Sequence, residues 1–375
     1  MKIFMIAGEA SGDIHGYNLA TELKKLYPNL ELCGTGGAKL KSIGQKQYFT
    51  DKDMAIIGFD GVIKKLPFIF KMFRTLEKAV REEKPDAIIL VDYPGFNLRM
   101  AKRLKKYKIP IIYFIAPQFW VWNYKRIYVL RDFCDLTLSI YPFETDALKN
   151  AGVNSVYIGN PIIDNMKFVY EDKEAFLKSA GLSGKKPVIG ILPGSRFHEI
   201  SSLLPIFAEA SNQYADKFEF VVSKAANISS EDITKYSAGL PFVSDAQYDI
   251  MKYADFIWAC SGTVTLETAV MKKPMIIVYK SSRLNFFIAM RLSSLRMVGL
   301  PNIINGSLLV PEVLGWDIKP ADIVSATEKA FSDIDNINAG LEKISSQFVG
   351  MTPCETAAGE IYSLLEKHTK RCLNN

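Results

Sequence analysis

Short apolar runs alternate along the whole chain with longer segments of helical pattern. Continuous apolar strands joined by crossover helices are typical of parallel sheets that are covered on both faces. The pattern therefore predicts an α/β protein with two halves. In the first half the runs are Ile3–Ala7, Ala87–Val91, Ile111–Ile115, Leu136–Ile140 and Val156–Ile158, and in the second half they are Val188–Leu192, Phe218–Val222, Phe256–Ala259 and Met275–Tyr279.

The length of the chain also favours two domains, because 375 residues exceed what one hydrophobic core usually supports. Between the two groups of strands lies Gly159-Asn160-Pro161, followed by a charged stretch at 170–174. We predict one domain over 1–168, a second over 169–354 and a helix over 355–375, where apolar residues recur at helical spacing. This last helix is expected to pack on the first domain or on a second copy of the chain in a homodimer.

Composition restricts the classes of protein to consider. The longest uncharged stretch, 109–124, is too short for a bilayer span and contains two prolines. The chain enters a strand at once, so we expect no signal peptide. Five cysteines without a C-x-x-C pair suit a reducing cytoplasm, and three histidines make a histidine-based metal site an unfavourable hypothesis.

The net charge of +6 is unevenly distributed. No acidic residue occurs over 93–131, where nine lysines and arginines lie, and none occurs over 268–311, which carries six. Two such stretches point to an anionic partner. At this level a phosphorylated substrate, an acidic lipid and a nucleic acid all remain open.

Two turns in the first half carry chemistry at strand ends. The first strand is followed by Gly8-Glu9-Ala10-Ser11-Gly12-Asp13, whose glycines and carboxylates suit a polyhydroxyl ligand or proton transfer more than a bare pyrophosphate. The run Ala87–Val91 is followed by Asp92 in a turn stiffened by Pro94. A carboxylate at the mouth of a sheet is well placed to act as a general base.

Two turns in the second half suit a diphosphate. Pro193-Gly194-Ser195-Arg196 combines a glycine turn, a helix start and an arginine fork. Ser261-Gly262-Thr263 begins another helix, whose N–H groups can hold phosphate, and Glu267 follows about one turn later. That carboxylate could accept both hydroxyls of a ribose.

These turns together resemble the lipid A disaccharide synthase family over nearly the whole chain. The resemblance extends to Pro117 with Trp120-x-Trp122, to Tyr141-Pro142-Phe143-Glu144 and to Leu300-Pro301-Asn302. It implies two facing Rossmann-like domains, the glycosyltransferase type B architecture. It also implies transfer from UDP-2,3-diacylglucosamine to 2,3-diacylglucosamine 1-phosphate, giving a β-1,6-linked disaccharide 1-phosphate and UDP.

The resemblance also implies residue roles. Asp92 is the expected base, and the first domain, with Gly8, Glu9, Ser11, Gly12, Asp13 and Asn97, is expected to hold the acceptor. Arg196, Ser261, Gly262, Thr263 and Glu267 are expected to bind UDP, with Asn302 in the donor pocket. The family pattern has a polar residue where this chain has Gly95. It also has a glutamine near Gly315, and here Glu312 or a neighbour is expected to replace it.

The chemistry needs no cofactor and no metal. UDP is a good leaving group, so the enzyme has to stabilise departing negative charge and remove one proton. Asp51-Lys52-Asp53 and Asp333-Ile334-Asp335 match a metal-binding D-x-D pattern, but neither follows a strong apolar strand, and we interpret both as surface turns. A single displacement would invert the anomeric centre.

The acylated substrates imply a cytoplasmic protein that associates peripherally with the anionic face of the inner membrane. Aromatic and basic residues recur over 64–81 and 283–297, and we expect Phe68 and Met72, beside Lys71, to contact lipid. Two alternatives remain: a nucleic-acid-binding protein that uses Trp120 and Trp122 for stacking, and a UDP-sugar epimerase or another transferase of the same architecture.

Overall fold

The computed structural model describes residues 1–55, 62–283 and 297–373. The chain divides into two compact units, one formed by Met1–Asp164 with Met351–Asn375 and the other by Asn165–Gly350. The chain therefore enters the second unit and returns to the first, four residues before the boundary expected at 168 and a few residues before the one expected at 354.

The first unit is built on a parallel sheet of seven strands in the order β3-β2-β1-β4-β5-β6-β7. Its strands are Lys2–Ala7 (β1), Glu31–Gly36 (β2), Lys46–Thr50 (β3), Ala87–Val91 (β4), Ile111–Phe114 (β5), Leu136–Ser139 (β6) and Ser155–Tyr157 (β7). Its helices are Ala10–Leu26 (α1), Ala38–Ser42 (α2), Asp51–Ala55 (α3), Val62–Glu83 (α4), Pro94–Leu104 (α5), Phe119–Trp122 (α6), Arg126–Phe133 (α7) and Pro142–Asn150 (α8).

The second unit is built on a parallel sheet of six strands in the order β10-β9-β8-β11-β12-β13. Its strands are Val188–Leu192 (β8), Glu219–Lys224 (β9), Phe242–Ser244 (β10), Phe256–Cys260 (β11), Met275–Lys280 (β12) and Glu312–Gly315 (β13). Its helices are Lys173–Ser179 (α9), Phe197–Ser211 (α10), Ser230–Tyr236 (α11), Gln247–Tyr253 (α12), Thr263–Val270 (α13), Leu300–Asn305 (α14), Pro320–Ser332 (α15) and Ile334–Ser345 (α16).

The central strands are the apolar runs of the sequence. Every residue of β4, β8 and β11 is buried, which requires helices on both faces of each sheet. In the first unit β1 pairs with both β2 and β4, and in the second β8 pairs with both β9 and β11. This arrangement is the doubly wound α/β fold in each unit.

The last helix, Pro353–Leu373 (α17), belongs to the first unit and packs along α1. The rings of Tyr27 and Tyr362 lie 5.3 Å apart across this contact. Ile361 and Leu365 are buried, as helical spacing predicts for one apolar face.

No helix within the described residues is both long enough and apolar enough to cross a membrane.

Helix α4 corrects the prediction for the lipid-contacting residues. Met72 is fully buried, and Phe68 is half-buried with its ring edge against Phe49 at 6.1 Å. The large apolar residue that α4 exposes, among the side chains that the structure describes, is Phe70, at 54 % of its surface. The buried face of α4 continues from Met72 to Leu76. Met72 is therefore in the core and cannot contact lipid as expected. The second aromatic stretch, 284–296, lies outside the described residues.

Candidate active site

Both candidate sites lie where the strand order of a sheet reverses. In the first unit the chain winds outward in both directions from β1 and β4, and in the second from β8 and β11. Ligands of doubly wound sheets bind beyond the carboxyl ends of the strands at such a switch point. The turn after β1 and Asp92 after β4 share one switch point. The turn at 193–196 after β8 and Ser261 after β11 share the other.

The Asp92 backbone has an unusual conformation that several hydrogen bonds hold in place. Asp92 and Tyr93 have φ angles of +44° and +48°, in the left-handed region that side chains other than glycine rarely adopt. The Asp92 carbonyl oxygen accepts hydrogen bonds from the Tyr113 hydroxyl at 2.7 Å and from the Asn97 side-chain amide at 2.8 Å, while its N–H donates to Phe114. Strain of this kind concentrates at functional sites.

The electrostatics around Asp92 suit a general base that works near neutral pH. Burial of the carboxyl raises its pKa to about 6, and the neighbouring charge of Glu9 adds to this rise. The Tyr93 N–H and the charge of Arg126 oppose it by favouring the ionised form. A base is most effective when its pKa lies close to the working pH.

The turn after β1 combines exposed and buried groups. Position 8 has room only for glycine, because a Cβ there would lie 2.3 Å from the Tyr93 ring. Glu9 and Ser11 are exposed at the start of α1, while Gly12 is buried against Ala7 and leaves room for a close approach of helix and strand. Glu9 and Ser11 are therefore the residues of this turn that are open to a ligand.

Asp13 and Asn97, by contrast, have their contacts within the fold. The Asp13 carboxylate is 5 % exposed and accepts hydrogen bonds from the backbone N–H groups of Gly37, Lys39 and Leu40 at 2.7–3.1 Å, which caps α2. The Asn97 amide is fully buried and donates to the carbonyl oxygens that end β4. These contacts give both residues a role in shaping the site, and their predicted contact with the acceptor stays a prediction.

Glu144 is a buried acid to which the sequence analysis gave no role. It lies in the first turn of α8. One carboxyl oxygen accepts a 2.7 Å hydrogen bond from the Trp120 indole N–H, while the second oxygen, Oε2, has no partner among the described residues. Burial raises the pKa of Glu144 to about 8, and the charge of Asp92 contributes to this rise. Glu144 is therefore largely protonated at neutral pH. It lies close enough to Asp92 for the Asp92 charge to disfavour ionisation of Glu144.

The site in the second unit is a cavity of about 440 Å³ between the turns that follow β8 and β11. All five residues that the sequence analysis expects to bind UDP at these turns line it, together with three polar residues that the sequence analysis did not single out. The first group is Arg196, Ser261, Gly262, Thr263 and Glu267, and the second is Glu199, Gln247 and Ser223.

Arg196 is presented at the entrance of α10 by a turn that needs glycine. Gly194 has a φ of +107°, and a Cβ there would lie 2.2 Å from the Glu199 carboxylate. That carboxylate accepts hydrogen bonds from the N–H groups of Ser195 and Arg196 at 3.1 Å each and pairs with the Arg196 guanidinium at 3.1 Å. The guanidinium is 78 % exposed, so it can turn toward an anion at little cost.

Glu267 sits on α13 with its carboxylate held in a defined position. It is 7 % exposed, and it accepts a 2.9 Å hydrogen bond from the Tyr248 hydroxyl. Burial raises the pKa of Glu267, while the Tyr248 hydroxyl opposes the rise. A carboxylate fixed in this way in a cavity wall can accept hydrogen bonds from a pair of vicinal hydroxyls.

Asn302, which is buried, and Glu312, which is half-buried, form a hydrogen-bonded pair beside this cavity rather than in its wall. The Asn302 amide donates to Glu312 at 2.7 Å and to the Val310 carbonyl, and its oxygen accepts from the Leu309 and Val310 N–H groups. Glu312 in turn accepts from the N–H groups of Val298 and Gly299. The Val298 carbonyl accepts a 3.3 Å hydrogen bond from Ser261, so the pair supports the segment against which Ser261 rests.

Comparisons of structure show which solved structures share this fold. A UDP-N-acetylglucosamine 2-epimerase from Listeria monocytogenes, described as putative, matches with a TM-score of 0.62 and 12% identity over 99% of this chain and 97% of the other. The calicheamicin glycosyltransferase CalG4 matches with a TM-score of 0.63 and 13% identity over 98% of each chain. The fold is therefore that of two Rossmann-like domains, of glycosyltransferase type B.

Comparisons of sequence identify the family. The family model described as lipid-A-disaccharide synthetase matches residues 3–348. Lipid-A-disaccharide synthase 1 of Legionella pneumophila (strain Lens) is 36% identical over 330 residues, which cover 86% of each chain. Lipid-A-disaccharide synthase of Geobacter metallireducens is 32% identical over 376 residues, which cover 98% of each. The chain therefore belongs to the lipid-A-disaccharide synthetase family and is a glycosyltransferase.

Proposed function

We propose that this enzyme transfers 2,3-diacylglucosamine from its UDP derivative to the 6-hydroxyl of 2,3-diacylglucosamine 1-phosphate, with inversion. The observation that carries the proposal is Asp92 at a switch point: three hydrogen bonds hold its backbone N–H and carbonyl, and its buried carboxyl has a pKa of about 6. A transferase that activates a sugar hydroxyl needs a base of this kind. Family membership supports the choice of substrates.

The donor UDP is assigned to the cavity of the second unit. The N-termini of α10 and α13 open there, and their positive helix ends favour phosphate. Arg196 adds a mobile positive charge, and Glu267 is placed to bind the ribose. This arrangement would stabilise the negative charge that develops on UDP as the bond between UDP and the anomeric carbon breaks.

Asp92 is assigned as the base in the first unit. It removes the proton of the acceptor hydroxyl as the oxygen attacks the anomeric carbon, and the C1–O bond to UDP breaks as the new C1–O bond forms. One displacement inverts the centre, so an α-linked donor gives a β-linked product. Glu9, which is exposed beside Asp92, is free to orient the acceptor sugar by hydrogen bonds.

Reversible contact with a membrane from its cytoplasmic side follows from the acyl chains of these substrates. On α4 the exposed Phe70 lies beside Lys71 and Arg74, which are also exposed. An aromatic residue among cations suits the surface of an anionic bilayer. We propose this face, rather than Phe68 and Met72, as the part of the described chain that contacts lipid.

The nucleic-acid alternative receives less support from the structure. Trp120 packs its ring edge against Phe143 at 5.3 Å and donates its N–H to Glu144, so its ring is part of the wall of the fold. Stacking on bases needs an aromatic face that is open to solvent.

A substrate matrix tests the proposal directly. The purified enzyme is given acylated or unacylated UDP-glucosamine, each with and without 2,3-diacylglucosamine 1-phosphate, and UDP release is measured. We expect release only when both acylated substrates are present. Turnover of UDP-N-acetylglucosamine without any lipid would show an epimerase or another transferase instead.

A further inference from the structure

A second cavity in the first unit borders the turn that carries Asp92. It has a volume of about 330 Å³ and lies between α5 and the segment that leads into α7. Pro94 and Gly95, which directly follow the Asp92-Tyr93 pair, form part of its wall. The rest of the lining is Leu98, Arg99, Lys102, Asn123, Lys125, Arg126 and Val129.

The charged residues that line this cavity are all basic. Arg99, Lys102, Lys125 and Arg126 come from two different elements, and no acidic residue joins them. Over the described ranges none of the four forms an ion pair with a carboxylate, whereas Arg103 and Arg131, on the same two helices, do so with Glu77 and Asp132. The four cations therefore face one cavity with no carboxylate in ion-pair contact among the described residues, and the charges of Asp92 near Arg126 and of Asp132 near Lys102 act from a longer distance.

The contacts of these cations leave their charges available. Arg99 donates to the Gly95 carbonyl at 2.7 Å, and the Lys102 ammonium lies over the Phe133 ring at 5.7 Å. Neither contact neutralises the charge. The space beside Gly95 is open, because no atom lies within 4 Å of the place where its Cβ would be.

The cavity and the catalytic carboxyl are electrostatically linked. The charge of Arg126 lowers the pKa of Asp92, so this cation is close to both. Helices α5 and α7 both begin at the cavity, and their positive ends add to the attraction for an anion. An anion bound here lies beside the base but is separated from it by the Asp92-Tyr93 turn.

We infer that this cavity binds the phosphate monoester of the acceptor sugar and thereby places the 6-hydroxyl of that sugar near Asp92. The inference rests on the proposed function, since it names the part of the acceptor that the first unit recognises. A phosphate monoester carries close to two negative charges and three acceptor oxygens. These suit the guanidinium and ammonium donors of the arginines and lysines that line the cavity. In a glucopyranose C1 and C5 both flank the ring oxygen, so the 1-phosphate and the 6-hydroxyl lie close together. This matches a cavity that borders the turn carrying Asp92.

The shape of the site favours a substrate phosphate over a membrane headgroup. A polybasic surface that attracts a bilayer works through many exposed charges spread over a face. Here the cations line a concavity of limited volume, and the aromatic residue Phe70 that suits a bilayer is on another helix, α4.

Calorimetry with soluble short-chain acceptors tests the inference without requiring turnover. The probes are a short-chain diacylglucosamine 1-phosphate and the same sugar without phosphate, measured with the wild type, Lys102→Gln and Lys125→Gln. We expect each substitution to weaken binding of the phosphorylated sugar by about tenfold, the usual worth of one charge-assisted hydrogen bond. Affinity for the sugar without phosphate should stay unchanged, and Arg131→Gln, whose side chain is outside the cavity, should behave like the wild type.

The outcomes separate this inference from the proposed function. Equal affinities of the wild type for both sugars, or unchanged affinities in both lysine variants, would overturn the phosphate site. Loss of sedimentation with anionic vesicles at unchanged phosphate affinity would assign the cations to a headgroup and also overturn it. Phosphate-dependent binding without any UDP release in the turnover assay would leave the site standing while contradicting the proposed function.

Discussion

The Tyr113 hydroxyl donates a 2.7 Å hydrogen bond to the carbonyl oxygen of Asp92, and this bond crosses from β5 to the end of β4. Tyr113 is fully buried, so its hydroxyl has few other partners to choose from. The bond fixes the left-handed backbone of Asp92 and with it the direction of the carboxyl. The position of the proposed base thus depends on a residue that never contacts substrate.

Tyr113→Phe should lower kcat by about tenfold while KM for the donor stays close to the wild-type value. Removal of one buried hydrogen bond costs about 1 kcal/mol and loosens the Asp92 turn without changing the donor cavity. Steady-state kinetics with a thermal melt measure both effects. Tyr214→Phe, which removes a 3.2 Å hydrogen bond to the Val324 carbonyl in the second unit, is the matched control. Equal losses of kcat in the two variants would mean that Tyr113 acts only through general stability.

Asp92→Asn should slow turnover by about 10²–10⁴-fold, the usual contribution of a positioned general base, and leave UDP affinity unchanged. In the wild type kcat/KM should rise with pH through about 6, because the base has to be ionised. The variant should lose this dependence. Near wild-type turnover of Asp92→Asn at saturating substrates would remove Asp92 from the mechanism.

Glu144→Gln should make the fold less sensitive to alkaline pH. The folded pKa of Glu144 is about 8, above its ordinary value of 4.5, so the folded state holds a proton that the unfolded state releases between these values. Stability attributable to this proton is therefore complete at pH below 4.5 and is lost as pH rises through about 8. Glutamine cannot ionise and can still accept the Trp120 hydrogen bond. Urea unfolding at neutral and alkaline pH measures the difference, and identical pH dependence in both proteins would contradict the buried, protonated carboxyl.

Glu267→Ala and Arg196→Ala should both weaken UDP binding, and Arg196→Ala should also lower the maximal rate. Arg196 faces charge that grows as UDP leaves, whereas Glu267 holds the ribose equally in the ground and transition states. Calorimetric titration with UDP, combined with kinetics, separates these effects. Unchanged UDP affinity in both variants would mean that the donor does not bind in the second unit.

Phe70→Ser should reduce sedimentation with anionic vesicles while leaving the melting temperature and UDP affinity near wild type. Its ring is 54 % exposed, so its removal leaves no cavity in the core. Met72→Ser is the contrasting variant, because loss of a fully buried methionine costs about 2–5 kcal/mol. Full vesicle binding by a stable Phe70→Ser protein would exclude this face of α4 as a lipid contact.

The central strands were predictable from sequence because each is a continuous apolar run. Strands β2, β3, β10 and β13 were not predicted, because glycine, polar residues or short length hide them, as in Glu31–Gly36 and Phe242–Ser244. Three of the four lie at sheet edges, where one side has no partner strand and burial is less complete. These segments are strands because each pairs with a neighbouring strand of the sheet. The local hydrophobic pattern carries no information about that pairing.

Much of the candidate site could also be predicted, since ligands of parallel sheets gather at strand ends. The sequence could not tell which of these residues are exposed in the site and which support it from within the fold. Asp13 and Glu9 stand four positions apart in one turn, yet the first caps α2 and the second is exposed. Tyr113, Glu144 and Tyr248 lie far along the chain from the residues they hold, so only the tertiary fold reveals their contacts.

The configuration and position of the new glycosidic bond test the central claim most directly. The lipid product formed from both acylated substrates can be isolated and its linkage determined by NMR. The account predicts a β linkage from C1 of the transferred sugar to O6 of the acceptor, with no such product from Asp92→Asn. An α linkage, a bond to a different hydroxyl, or full product formation by Asp92→Asn would contradict it.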